Sequence, residues 1–228
     1  MKKFELTGET KLWFGRTLHR IRALVAFGDV DAGELGGWIE NESNLDQSGD
    51  AWVYGDAQVS GDALVYGDAQ VYGDAQVYGN ARVSGDARVY GDARVSGDAW
   101  VYGNALVYGN ARVSGNARVY GNARVYDNAW VYGDAWVYER RAIMWISVIG
   151  SRNDTVTFFA CKGGIIGVTV GCFHGSIDEF AEKVRKTHGD NEHAQAYMIA
   201  IELAKLRVKV EVPAETATSD EHTKKISN

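Results

Sequence analysis

The sequence predicts a mainly β protein, built as a long coil of short stacked strands with a small α+β domain after it. Three observations support this prediction. A six-residue phrase repeats without insertion from Ala51 to Tyr138. Each phrase alternates inward and outward residues before a glycine-containing corner, and the period disappears after Tyr138, where strand and helix patterns follow.

Residues 1–50 are predicted to cap the coil and to form a degenerate first turn of it. The stretch "TLHRIRAL" resembles a strand and leads into a glycine-rich turn. Extending the six-residue frame backwards places Trp38, Ile39 and Leu45 in the inward column that alanine occupies later. Such a cap is needed because the open edge of a sheet pairs readily with other chains.

Residues 51–138 form the repeat array, whose phrase is Ala, a variable residue, Val, Tyr or Ser, and then in most phrases Gly with Asp or Asn. The period of two within the phrase predicts a short strand with Ala and Val facing inward. Gly with Asp or Asn favours a tight corner. A strand of this length cannot bury its apolar face alone, so the phrases must coil and stack on one another.

This six-residue phrase resembles the hexapeptide repeat of left-handed parallel β-helices, in which three phrases complete one triangular coil. The resemblance implies a left-handed parallel β-helix of about five 18-residue coils. The preceding phrase "FGDVDAGELGGWIE" is similar to the opening of YdcK-like hexapeptide proteins and of many phage- and prophage-encoded proteins. Relatives with this fold commonly form homotrimers.

Coiling in steps of 18 residues sorts the outward side chains onto three faces. Face one stacks Tyr54, Tyr72, Tyr90, Tyr108 and Tyr126, with Trp52 beside its lowest tyrosine. Face two is the most polar and alternates Gln, Arg and Trp with Ser and Tyr. Face three carries Trp100, Tyr102, Arg118, Tyr120, Trp136 and Tyr138, and Arg118 is expected between the two tryptophans at a spacing suited to cation–π contact.

Two interpretations of these aromatic columns remain open. Stacked side chains stabilise a sheet that faces water. Tyr, Trp and Arg also dominate binding interfaces, so faces one and three are candidate contact surfaces of a homotrimer. Face two would then stay in contact with solvent.

Residues 139–209 are predicted to form the small α+β domain. Three strands are expected in "AIMWISVIG", "DTVTFFACK" and "GIIGVTVGC". A capping box from Ser176 to Glu179 starts one helix, and a second helix runs from about Glu192 to Leu206. The polar tail, residues 210–228, is expected to be disordered.

The array contains no histidine, whereas acyltransferases of similar fold use histidine as a general base. Catalysis by the array is therefore not expected, and no cofactor or metal is predicted. His174, His188 and His193 of the terminal domain are the candidate ligand site. Cys161 and Cys172 could join them in a metal cluster, but no CxxC or HxxxH pair is present, and both are expected to be small buried residues.

The formal charge of −6 argues against binding to nucleic acid through phosphate contacts. No apolar run approaches the ~20 residues of a membrane span, and the N-terminus lacks a signal-peptide pattern, so we expect a cytoplasmic protein.

The expected function is a non-catalytic binding or assembly protein of phage or prophage type. Its partner would be a host defence protein or a signalling nucleotide. The alternatives are an acyltransferase with His174 or His188 as base, and a structural component of a virion.

Overall fold

The computed structural model describes residues 2–210 and shows a parallel β-solenoid of about six coils. A β-hairpin precedes the solenoid, and a small domain of antiparallel strands and two helices follows it. The predicted fold class is therefore confirmed. The predicted tail lies outside the described residues, apart from residue 210. No helix of residues 2–210 is long and apolar enough to cross a membrane.

Each phrase of the array contributes one two-residue strand, formed by its variable residue and its valine. These strands are β4 Trp52–Val53, β5 Gln58–Val59, β6 Leu64–Val65, β7 Gln70–Val71, β8 Gln76–Val77, β9 Arg82–Val83, β10 Arg88–Val89, β11 Arg94–Val95, β12 Trp100–Val101, β13 Leu106–Val107, β14 Arg112–Val113, β15 Arg118–Val119, β16 Arg124–Val125, β17 Trp130–Val131 and β18 Trp136–Val137.

The strands stack in parallel on every third neighbour and form three sheets. Face one is the outer surface of β4-β7-β10-β13-β16, face two that of β5-β8-β11-β14-β17, and face three that of β6-β9-β12-β15-β18. Every alanine and valine of the array is at most 1 % exposed. The core is thus a column of small side chains, and its burial holds strands that are too short to be stable alone.

The coil that precedes the array has a different register from the one predicted. Strand β3, Leu35–Ile39, pairs with β5 so that Ile39 lies opposite Val59, and Leu45 bridges to Val65. Ile39 and Leu45 therefore continue the valine column, not the alanine column. The reason is that Leu45 precedes Val53 by eight residues, where the repeat allows six. This extra coil accounts for about six coils instead of about five.

The N-terminal hairpin covers the lower edge of the solenoid. Strands β1, Phe4–Trp13, and β2, Arg16–Ala23, are antiparallel, and β2 pairs with β3. β1 was not predicted. Trp38, predicted to face inward, lies at an outward position and is buried beneath Lys11 and Arg20.

Trp52 departs from its predicted place on an exposed face. Its position is outward, but the ring is fully buried. Phe4 and Phe27 pack on it with ring centroids 6.2 and 5.3 Å away. The hairpin and the loop that follows it thus enclose the lowest part of face one.

The C-terminal domain contains the three predicted strands and one more. They are β19 Ile143–Ile149, β20 Asp154–Cys161, β21 Ile165–Val170 and the additional β22 Phe173–Ser176, paired antiparallel in that order. Helix α1, Ile177–His188, starts with the predicted capping box of Ser176 and Glu179, and α2 spans Glu192–Arg207.

Strand β20 covers the upper edge of the solenoid. Cys161 forms an antiparallel bridge with Ala135. The backbone N–H of Trp130 donates to Oγ1 of Thr157 at 3.0 Å. The terminal domain therefore caps the end of the array that the hairpin leaves open.

Candidate functional site

Face one carries a continuous ladder of tyrosines. Tyr72, Tyr90, Tyr108 and Tyr126 stack in parallel, with centroids 4.8 to 4.9 Å apart. Tyr54 meets Tyr72 edge-on at 6.5 Å. Burial raises the pKa of Tyr54, Tyr72, Tyr90 and Tyr108, so these rings are uncharged at neutral pH. These four rings of the ladder are therefore partly buried and uncharged.

Face three has the predicted alternation of aromatic and cationic side chains. The guanidinium of Arg118 lies 5.8 Å from the ring of Trp100 and 5.3 Å from that of Trp136, which confirms the expected stacking. Nζ of Lys162 is 5.7 Å from the ring of Trp136. Tyr102, Tyr120 and Tyr138 form a second column beside it. The cations that stabilise these tryptophans thus come from the same chain.

Two of the four serines of the array accept a hydrogen bond from a tryptophan. Nε1 of Trp100 donates to Oγ of Ser84, and Nε1 of Trp130 donates to Oγ of Ser114, both at 3.2 Å. Face two is exposed at Arg94 and Arg112. These hydroxyls satisfy indole N–H groups, which is a structural task and does not require a general base.

The three histidines of the candidate ligand site lie in two places. His174 is on β22, and its ring packs against Tyr132 at 4.4 Å and Trp130 at 4.8 Å on the solenoid. The ring centroids of His188 and His193 lie 5.9 Å apart, where α1 ends and α2 begins. The structure therefore brings His188 and His193 together and places His174 against face two.

Within residues 2–210, neither His174 nor His188 has an ion-pair partner that would mark it as a catalytic base. Burial lowers the pKa of His174, so its imidazole is neutral at neutral pH. No carboxylate in the described part of the chain lies within ion-pair distance of either ring to orient it. The ring of His174 packs on Trp130 and Tyr132 and so forms part of the contact between the terminal domain and the solenoid. The side chain of Asn191 caps α2 by accepting a hydrogen bond from the backbone N–H of Ala194.

The cysteines differ in their surroundings. Cys161 is buried in β20, as expected, and burial raises the pKa of its thiol to about 11. Cys172 is exposed, so the expectation of a buried residue was wrong there; it lies in the turn between β21 and β22. Within residues 2–210, no group of three or more His, Cys, Asp or Glu side chains could hold a metal ion.

The structure also contains a two-part cleft that the sequence did not predict. It lies where the upper end of face one meets the terminal domain. The first lobe, of about 330 Å³, is lined by Tyr108, Arg124, Tyr126, Arg140, Ile143, Met144 and Trp145. The second lobe, of about 380 Å³, is lined by Asn104, Leu106, Asn122, Arg124, Glu139, Arg140 and Arg141.

Arg124 and Arg140 line both lobes, so the lobes adjoin at these two cations. The only hint in the sequence is the pair Arg140-Arg141 directly after the last phrase. The approach of β19 to the tyrosine ladder could not be derived from the repeat.

Comparison with known protein families shows that most of the array is similar to one family of solenoid repeats. The model of the YdcK beta solenoid repeat matches residues 57–73, 75–89, 87–103, 99–115, 111–125 and 123–139. These matches end where the terminal domain begins. No curated protein matches the chain.

Proposed function

Because residues 57–139 are YdcK β-solenoid repeats, we propose that this protein is a non-catalytic binding and assembly protein whose solenoid joins copies of the chain into a homotrimer. The tyrosine ladder of face one is the surface that makes the contact. The sequence resemblance favours a protein that acts in the cytoplasm of a phage-infected or prophage-carrying cell.

The observation that carries this proposal is the order of the tyrosine ladder. Tyrosine rings supply large contact areas, and rings already held by stacking lose little conformational freedom when a partner binds. Four of the five rings share one orientation along face one. Face three is the second candidate surface, but Arg118 and Lys162 already cover its tryptophans.

The middle coils, which carry Tyr72 and Tyr90, are the best placed for the contact. At the upper end, Trp145 stands edge-on against Tyr126 at 4.4 Å and belongs to the cleft. Tyr72 and Tyr90 lie between that cleft and the buried Trp52 below. Association through this middle region would leave both ends of the solenoid capped as the structure shows them.

The test is the mass in solution of the variant Tyr72→Ser/Tyr90→Ser. Serine stands at the equivalent position of several natural phrases, so the fold should persist. Light scattering after size-exclusion chromatography should give three times the 25.0 kDa chain mass for the wild type and a monomer for the variant. The matched control, Tyr66→Ser/Tyr78→Ser on the other two faces, should remain trimeric.

Three results would contradict the proposal. A monomeric wild type would reduce the ladder to a means of stabilising the sheet. Release of free coenzyme A from acetyl-CoA on incubation with an acceptor amine, lost in His174→Ala or His188→Ala, would favour the acyltransferase instead. Recovery of the protein from purified virions would favour a structural component of the particle.

A further inference from the structure

The two lobes of the cleft differ in chemistry. The first has an aromatic and apolar wall, formed by Tyr108, Tyr126, Ile143, Met144 and Trp145. The second is polar, with the side-chain amides of Asn104 and Asn122 at two corners of the solenoid. A ligand that fills both must have a flat apolar part and a polar part.

The junction of the lobes is positively charged. No carboxylate among residues 2–210 lies within ion-pair distance of Arg124, Arg140 or Arg141. Glu139 is the one acidic residue in the lining, and Nζ of Lys209 lies 3.5 Å from its Oε1. The cleft therefore offers three guanidinium groups to an anion, and guanidinium is the side chain best suited to a phosphate.

The rings of the aromatic wall pack on one another. Trp145 meets Tyr126 edge-on, with centroids 4.4 Å apart, and Tyr126 stacks on Tyr108 at 4.9 Å. All three rings are partly exposed to the lobe. Surfaces of this kind stack well on planar heterocycles, and such stacking needs no particular pattern of hydrogen bonds.

We propose that the cleft binds a nucleoside phosphate, with the base against Tyr126 and Trp145 and the phosphate held by Arg124, Arg140 and Arg141. Each lobe has a volume at the lower end of the range for small-molecule sites, about 300–1,000 Å³. The cleft is shallow and its arginines are partly solvated, so the affinity should fall with rising salt.

This inference goes beyond the proposed assembly and does not depend on it. The five residues assigned to the base and the phosphate, Tyr126, Trp145, Arg124, Arg140 and Arg141, belong to the same chain. The variant Tyr72→Ser/Tyr90→Ser, designed to separate the copies, leaves every one of them in place. Nucleotide binding by that variant would show that the site is complete in one chain.

The first experiment compares ligands on the full-length wild type by isothermal titration calorimetry. Adenosine 5′-monophosphate should bind, and ribose 5-phosphate, adenosine and inorganic phosphate should each bind at least about tenfold more weakly. Equal affinity for the monophosphate and inorganic phosphate would overturn the proposal, because the aromatic lobe would then contribute nothing. Absence of binding by the monophosphate at millimolar concentration and low salt would also overturn it.

The second experiment locates the site. Arg140→Gln/Arg141→Gln changes two exposed side chains and should raise the Kd of the monophosphate at least about tenfold. The control, Arg82→Gln/Arg94→Gln, removes two exposed arginines elsewhere on the solenoid and should leave the Kd within about twofold of the wild type. Equal weakening in both variants would mean that the anion senses only net charge, which contradicts a built site.

Discussion

Asp127 is the residue at which the array departs most clearly from its own rule. It occupies the corner position that glycine holds in the other phrases, and its φ is +55°. A side chain in this left-handed region carries a steric cost, which aspartate tolerates better than most residues. The corner of the coil below is Gly109, with φ of +67°. A Cβ there would stand 3.1 Å from the backbone N of Asp127.

These two corners give a matched pair of substitutions. Asp127→Gly should raise the free energy of unfolding by about 0.5–1 kcal/mol, because it relieves the left-handed strain. Gly109→Ala should lower the free energy of unfolding by about 1–2 kcal/mol. Alanine is strained at this positive φ, and its methyl group would lie close to the backbone of the next coil. Urea unfolding followed by circular dichroism measures both. A less stable Asp127→Gly variant would show that the carboxylate makes an interaction worth more than the strain.

Among the elements, the N-terminal hairpin has the most specific task, which is to close the lower edge of the solenoid. Lys3, just before β1, is only 4 % exposed. Its Nζ donates to the carbonyl oxygens of Ser48, Gly49 and Ala51 at 3.3, 3.2 and 2.9 Å. Those carbonyls belong to the irregular turn with two extra residues. The ammonium therefore donates hydrogen bonds to backbone carbonyls that have no partner in a neighbouring strand.

The buried ammonium should make stability depend on pH in the alkaline range. Burial lowers the pKa of Lys3 to about 8 from 10.5, against the opposing fields of Asp46, Asp50 and Asp68. Between these pH values the unfolded chain binds more protons than the folded one, so the free energy of unfolding rises with pH. From pH 7.5 to 9.5 the wild type should gain about 1–2 kcal/mol relative to Lys3→Met. Parallel pH profiles of the two proteins would contradict this account.

At the scale of the whole molecule, different residues of the solenoid determine folding and binding: the inward residues form the core and the outward residues form the surface. The inward Ala and Val columns are the same on all three sides, so any number of phrases can stack. The outward residues differ between the three faces. Two outward positions lie next to each other on one face only when they are 18 residues apart, as the pairing of Arg88 with Leu106 shows. Each coil contacts only its neighbours, so the free energy of unfolding should depend on the number of phrases. The position of a phrase within its 18-residue coil should decide on which face its outward side chains lie.

Two deletions test this separation. Removing residues 69–86 deletes one full coil and keeps four tyrosines in the ladder. Removing residues 69–74 deletes one phrase, turns the upper part by a third of a coil, and gives face one the column Tyr54, Tyr78, Ser96, Ser114, Tyr132.

Both variants should give the circular dichroism of the wild type. The shorter deletion should have the higher melting temperature, because it loses less core. Only the longer deletion should keep the trimer in light scattering. Retention of the trimer by the six-residue deletion would show that the ladder does not make the contact.

Much of this fold follows from local sequence. The array could be predicted because every phrase repeats the same burial pattern and the same corner. The helices of the terminal domain could be predicted because their caps are local, as Ser176 with Glu179 and Asn191 with Ala194 show. The register of Ile39 and Leu45 could not, since two extra residues in one irregular turn move both from the alanine to the valine column.

By itself the sequence determined the solenoid, its three unlike faces and the tyrosine ladder, because a strict period converts position in the chain directly into position in space. Only the tertiary structure decided that Trp52 is buried, that His174 lies apart from His188, and that Trp145 meets Tyr126. The last contact places Arg140 beside Arg124 and creates the cleft. These contacts join the periodic array to segments without a period, so they depend on the packing of the two ends and on no local pattern.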